Sequence, residues 1–201
     1  GKARQESSQA GPFLHDMLSM VGAGFISFQG FQTSKTFKGF GSSFDGACPS
    51  TPVAFGMACG MRITTVAAAT CGDVLAEMNA RVNGQNDAWH DPHNNGTYTK
   101  QNFGSTFSTS RLTGDGKYTD KMIFTLTPLT GTSSSSCKIE ACSRSQVFSL
   151  LDFGTNYCNL KMLYCGSKDG CKPVEHDFTV SDEMTQGFQS SSVDLKACLK
   201  V

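Results

Sequence analysis

The stretch WHDPHNNGTY, residues 89 to 98, carries a dense set of chemically capable side chains. His90 and His93 stand three apart, with Asp91 and Pro92 between them. Pro92 blocks a continuing helix, so the two imidazoles cannot share one helical face. In a turn they can still converge on a metal ion. Asp91, or His176 with Asp177 in VEHD, would then complete the set, and a zinc-dependent hydrolase would follow. Local chemistry gives a simpler reading. Asp91-Pro92 opens a turn, Asn94 or Asn95 together with Gly96 supplies positive φ, and TYT enters a strand. The structured turn is the expectation, with His90, His93 and His176 kept as secondary metal candidates. Trp89, the single tryptophan, is expected to plug one end of the core. Asn95-Gly96-Thr97 is an N-glycosylation sequon, which makes Asn95 a candidate surface modification site.

Other catalytic patterns are missing from the sequence. No G-x-S-x-G nucleophile elbow occurs, and no Cys-His pairing stands in a recognisable context. TGDG, residues 113 to 116, lacks the Lys-Ser/Thr and the following helix of a phosphate cradle. Asp115 and Asp120 sit in a turn and a strand, where aspartates are usually structural. No catalytic residue and no cofactor is therefore expected, although pigment or lipid contacts suit the apolar segments. Seventeen basic and 17 acidic residues cancel, so no charge surplus invites nucleic acid. Charged residues make up 17%, below the usual quarter. A chain so sparsely charged solubilises itself poorly, which favours life inside an assembly.

The elements that would position these groups are held by cysteine. Cys48, Cys59, Cys71, Cys137, Cys142, Cys158, Cys165, Cys171 and Cys198 form no Cys-x-x-Cys knuckle. The close spacings 137/142, 158/165 and 165/171 suit loop-closing disulfides, and therefore an oxidising compartment. Nine is odd, so at least one thiol stays outside the intramolecular set. Connectivity cannot be read from spacing, since even eight cysteines allow 105 pairings.

After residue 48 the pattern predicts an α+β domain. Residues 53–66 read as a buried strand. Residues 70–84 read as a helix capped by Thr70, with Asp73 in its first turn and Gly84 at its end. Val74, Leu75, Met78 and Val82 are its expected apolar face, and Glu77 and Arg81 are expected to pair on the solvent side. Strands follow at 97–99, 105–112 and 117–128. In the last, Tyr118, Asp120, Met122, Phe124 and Leu126 alternate with Lys117, Thr119, Lys121, Ile123, Thr125 and Thr127. CKIEAC is a short strand. Residues 146–153 and 156–165 read as two more strands, or as a strand and a turn-rich crossover. The tail has lower β content and is tied back by Cys198. The expected architecture is one helix packed on an antiparallel meander of five to six strands, stapled by disulfides. A small calycin-like barrel with an apolar mouth is the alternative.

Residues 1–47 differ. The segment has no cysteine and holds seven of the 15 phenylalanines, interleaved with glycine. Leu14, Leu18, Val21, Phe25 and Phe28 recur at helical steps after Pro12. With Phe31, Phe37 and Phe40 they are the expected partner-binding residues of a docking arm, which can also touch a membrane surface. Ser, Gln and Gly make residues 17–34 a poor transmembrane span. The opening GKARQESSQA reads as a mature chain whose targeting segment has been removed. Residues 48–201 form the stapled domain.

WHDPHNNGTY, RLTGDGKYTDKMIF and ACSRSQVFSLLDFGTNYCNLKMLYCGSKDGC together resemble cysteine-rich proteins of dinoflagellates and related algae. The resemblance covers roughly residues 48–175. It is an uncharacterised group, so the resemblance implies a family signature and transfers no functional residue. It does imply two oxidising destinations: the chloroplast thylakoid lumen, membrane-associated, or secretion to the cell surface. The expected function is a non-catalytic accessory subunit that docks through its arm onto a protein assembly, with an algal photosystem-antenna membrane complex as host. The alternatives are a soluble carrier of a lipid or pigment, lined by Tyr118, Met122, Phe124 and Leu126, and a secreted structural glycoprotein.

Overall fold

The computed structural model describes residues 48–52, 58–85, 87–103, 106–131, 135–188 and 191–200, with the backbone alone at 102 and 103. The expected docking arm and its anchors lie outside the described residues.

Six strands form one antiparallel sheet: β1 (Gly60–Ala67), β2 (Thr97–Phe103), β3 (Thr106–Leu112), β4 (Thr119–Leu129), β5 (Ser136–Ser145) and β6 (Val180–Phe188). Their spatial order is β2-β3-β4-β5-β1-β6. The meander from β2 to β5 follows the chain, and β1 then inserts between β5 and β6. The sheet is open, with β2 and β6 as edges, so the barrel alternative is not the fold. Among the described residues three α-helices accompany it: α1 (Cys71–Asn83), α2 (Thr155–Lys161) and α3 (Leu195–Cys198). No described helix is long and apolar enough to cross a membrane.

Period-two alternation decides which strand residues meet the helices. Met61 and Ile63 of β1, Met122 and Phe124 of β4, and Ile139 and Ala141 of β5 are all buried on one face. α1 packs against β2, β4 and β5, and α2 against β1, β4 and β5. Val74 and Met78 of α1, with Leu160, Leu163 and Tyr164 from the α2 region, complete this layer. Each fully buried large apolar side chain contributes about 1.5–3 kcal/mol. Met122 and Phe124 are thus core residues beneath helices, while Tyr118 is exposed beyond the start of β4.

Residues 156–165 differ from the expected strand. Tyr157, Leu160 and Tyr164 fall at steps of three and four, as do Asn156, Asn159 and Leu163, and all six are buried. Cys158, Lys161 and Met162 are buried too, so α2 is enclosed on every side and shows no amphipathic stripe. Gly154, left-handed at φ 85°, precedes it and breaks extended structure. Residues 146–153 form no named strand and lead as a loop from β5 into α2. The tail, conversely, supplies β6. Its exposed residues, Asp182 among them, suit an edge, where charge discourages pairing with another chain. Glu183 fastens that edge to α2: its carboxylate accepts from Tyr157 Oη (2.9 Å) and Lys161 Nζ (2.8 Å).

Four disulfides staple the sheet to its surroundings: Cys48–Cys142, Cys71–Cys137, Cys158–Cys198 and Cys165–Cys171. They fit an oxidising compartment. Cys137 and Cys142 share β5 but stand five residues apart, so a strand points them to opposite faces. Hence they take separate partners, Cys71 on α1 and Cys48. Of the three close spacings, only 165/171 is a bridge. The two longest loops, with separations of 94 and 66, each restrict the unfolded chain by about 4–5 kcal/mol in the loop-entropy view. Cys59 is the ninth cysteine; it is buried, and its thiol donates to Ser149 O at 3.1 Å.

Helix α1 starts as its sequence dictates. Thr70 Oγ1 accepts from Asp73 N, and the Asp73 carboxylate accepts from Thr70 N, a reciprocal capping box. Its inward stripe is Val74, Glu77, Met78, Arg81 and Val82, whereas Leu75 is exposed. Glu77 and Arg81 do pair, at 2.7 Å, but they are buried and not on the solvent side. Burial alone would be costly, and it is offset by a full set of partners. The Glu77 carboxylate also accepts backbone N–H groups from Val174 (2.9 Å), Glu175 (2.7 Å) and His176 (2.8 Å). Burial pushes its carboxyl up, but these three donors and Arg81 outweigh it and hold the group below its ordinary value. Arg81 donates onward to Met162 O at 2.6 Å and Cys165 O at 2.7 Å. One ion pair therefore ties α1 to the end of the α2 region and to the 174–176 segment.

Removing one partner leaves the other charge buried alone. Glu77→Ala is expected to destabilise the oxidised chain by about 3–5 kcal/mol, read from urea unfolding. The paired replacement Glu77→Met/Arg81→Leu is expected to recover a large part of that loss. Equal losses in both would show that the pair itself is not what the site depends on.

Candidate functional site

Two regions of the domain hold features that bear on function: the His-Asp turn at residues 89–98, and the loop between β5 and α2.

The turn is wrapped around a side chain that sequence spacing did not connect to it. Arg111, on β3, is fully buried. Its Nε donates to Asp91 Oδ2 at 2.6 Å, and its Nη2 donates to Asn94 Oδ1 at 2.8 Å and to the His93 carbonyl. Its guanidinium lies 5.7 Å from the Tyr98 ring centroid, and Tyr98 in turn packs on Trp89 at 5.9 Å. Asp91 also accepts from His93 N at 2.9 Å, which sets the turn. Asn94 and Asn95 both adopt left-handed φ, at 46° and 51°. Gly96 does not; it is needed because a Cβ there would overlap the Arg111 guanidinium. Burial pushes the Asp91 carboxyl up, opposed by Arg111 and the His93 N–H.

The histidines do not converge. His90 is exposed at the rim of a small surface cavity of about 190 Å³, shared with Arg81, Trp89 and Lys172. His93 is partly buried; burial, and then the Arg111 charge, hold its imidazole down at about 4, with the Ala197 backbone opposing. His176 lends its backbone N–H to Glu77, and its ring lies 3.6 Å from Glu175. No three His, Cys, Asp or Glu side chains among the described residues come together to hold an ion. Asn95 is exposed at the tip of its turn, and Trp89 is buried as expected.

Beneath α2 lies a third polar cluster. Asn159 Nδ2 donates to Asp120 Oδ2 at 2.7 Å, and Ser143 Oγ donates to Asn156 Oδ1 at 2.6 Å. Asn156 Nδ2 donates to Asp152 Oδ1 at 2.7 Å. Burial pushes the carboxyls of Asp120 and Asp152 up, against these amide donors. Asp120, Asn156 and Asn159 are sealed inside the domain, so their chemistry positions α2 on the sheet and reaches no surface.

Asp152 also anchors the second region. It points inward and caps α2 by accepting from Asn156 N at 3.1 Å. Its neighbours point outward. Phe148, Leu150, Leu151 and Phe153 are 53%, 52%, 60% and 76% exposed. Phe153 sits at φ 47°, a conformation that costs a bulky L residue of order 1 kcal/mol or more. The domain therefore bears two costs at one residue: an exposed aromatic ring and a strained backbone. Reading VFSLLDF as a strand hid this patch. Its signal was the lack of alternation, since Phe148, Leu150, Leu151 and Phe153 fit no period of two.

No protein-family model, no curated protein and no solved structure is similar to this chain.

The His93 shift has a definite sign. A base held below its ordinary value near 6.5 binds fewer protons folded than unfolded. Its contribution to stability is full above that value and is lost as pH falls toward about 4. Urea midpoints are expected to drop over that window, and His93→Phe to flatten the part due to this ring. An unchanged profile in the variant would contradict the assignment.

Proposed function

We propose that this chain is a non-catalytic accessory subunit of an oxidising compartment that docks onto a larger, membrane-associated assembly. The observation that carries the reading is the exposed apolar loop at residues 148–153, held on a stapled frame. Four large apolar side chains facing outward from six residues mark an interaction surface. Half to three-quarters exposed, each side chain leaves about 1–2 kcal/mol of burial unused in the isolated domain. The polar residues best placed for chemistry, Asp91, Arg111, Glu77, Arg81 and Asp120, are instead engaged in buried pairs that position backbone. The carrier reading has less support: Met122 and Phe124 pack in the core, and the 190 Å³ cavity is lined by other residues. The algal resemblance makes a photosystem-antenna complex facing the thylakoid lumen the host of first choice. The arm would supply a second contact. A secreted structural glycoprotein is favoured by one feature, the exposed Asn95 of the sequon.

Gentle extraction from the native source, size separation and mass spectrometry test the reading. Co-migration with a large membrane complex is expected, without a glycan on Asn95. A free particle of about 21.5 kDa would overturn it, and glycan mass on that particle would favour the secreted protein.

A further inference from the structure

We propose that the loop from Val147 to Phe153 is a membrane-interface wedge, entering the boundary between headgroups and acyl chains of a lipid bilayer. This rests on the docking reading above and names lipid as what the loop touches.

Charge is the first argument. From Gln146 to Gly154 the single ionisable residue is Asp152, and its carboxylate is turned into the domain against Asn156. The outward surface is then Phe148, Leu150, Leu151 and Phe153. These residue types favour the apolar side of the interface. Along the chain the nearest charges are Arg144 and Lys161, and Lys161 is buried against Asp169 and Glu183. Attraction to anionic lipid is not the driver, and neutral lipid suffices.

The backbone is the second. Entering a bilayer is costly for any carbonyl without a donor. Here Ser149 O accepts from Cys59 Sγ at 3.1 Å, Leu151 O from Ser149 Oγ at 3.4 Å, and Asp152 O from Thr155 N at 2.9 Å. Three of the loop's seven carbonyls thus arrive with a donor. Protein interfaces draw their strongest anchors from Trp, Tyr and Arg, and the loop has none.

Rigidity is the third. The left-handed turn at Phe153 and Gly154 aims the Phe153 ring outward, while Asp152 and the Cys158–Cys198 bridge hold the base of the loop. A preformed wedge loses little conformational freedom on insertion.

The test uses the full chain and phosphatidylcholine vesicles, with flotation to measure the bound fraction. Leu151→Asp/Phe153→Asp alters two exposed residues; retained disulfides and circular dichroism check the fold. The parent chain is expected to float, and the variant to lose binding by about tenfold or more. Raising salt to about 0.5 M is expected to change parent binding by less than about twofold. A Phe153→Trp chain is expected to shift its emission to the blue and to be quenched by brominated acyl chains. Equal binding by parent and variant would overturn the wedge and place the contact elsewhere. Failure of the parent to bind would also overturn it, as would self-association abolished by the same variant, which would make the occupant a second copy. Vesicle failure with native co-migration retained sinks the lipid contact alone. A free particle in native extracts that still binds vesicles sinks the assembly reading alone.

Discussion

The Glu77–Arg81 ion pair is the constraint on which much of the described domain depends. Two charges moved out of water are tolerable only when each hydrogen-bonding direction finds a partner. Satisfying them fixes three otherwise separate pieces of chain. The carboxylate gathers the N–H groups of residues 174–176, and the guanidinium takes the carbonyls of Met162 and Cys165. Cys165 is then bridged to Cys171. Arg111 organises the turn from Asp91 to Gly96, which follows the C-terminal end of α1, against Trp89 and Tyr98. Irregular chain thus gains fixed positions without lengthening the sheet.

This use of charge bears on function. Asp91 is tied to Arg111, and His176 through its backbone to Glu77. What the domain does not absorb is apolar. The loop after β5 exposes Phe and Leu side chains above a buried carboxylate, and it accepts a strained Phe153 to do so. A domain that docks gains a rigid apolar contact.

Much of the frame was legible in the sequence. Thr70 and Asp73 announced the start of α1, and the alternation of Asp120, Met122 and Phe124 gave the inward face of β4. The α+β class and the disulfide staples followed from the same patterns. Other features were legible only to a different test. Glu77 and Arg81 share the helical stripe of Val74, Met78 and Val82, but hydropathy assigns charge to solvent, so the stripe was rotated toward Leu75. α2 is buried on all sides, so it carries no polar-apolar periodicity that would separate helix from strand. Cysteine partners depend on which strand face each residue occupies, and therefore on register. Arg111 and Asp91 lie 20 residues apart on different elements, a contact that only folding reveals.

Hydrogen–deuterium exchange on the chain in its native membranes, against the extracted free chain, tests the central claim most directly. The account predicts that protection on docking concentrates at residues 146–153, with the amides of 174–176 equally protected in both states. Protection gained around His90 to Asn95 instead, with the loop unchanged, would contradict it.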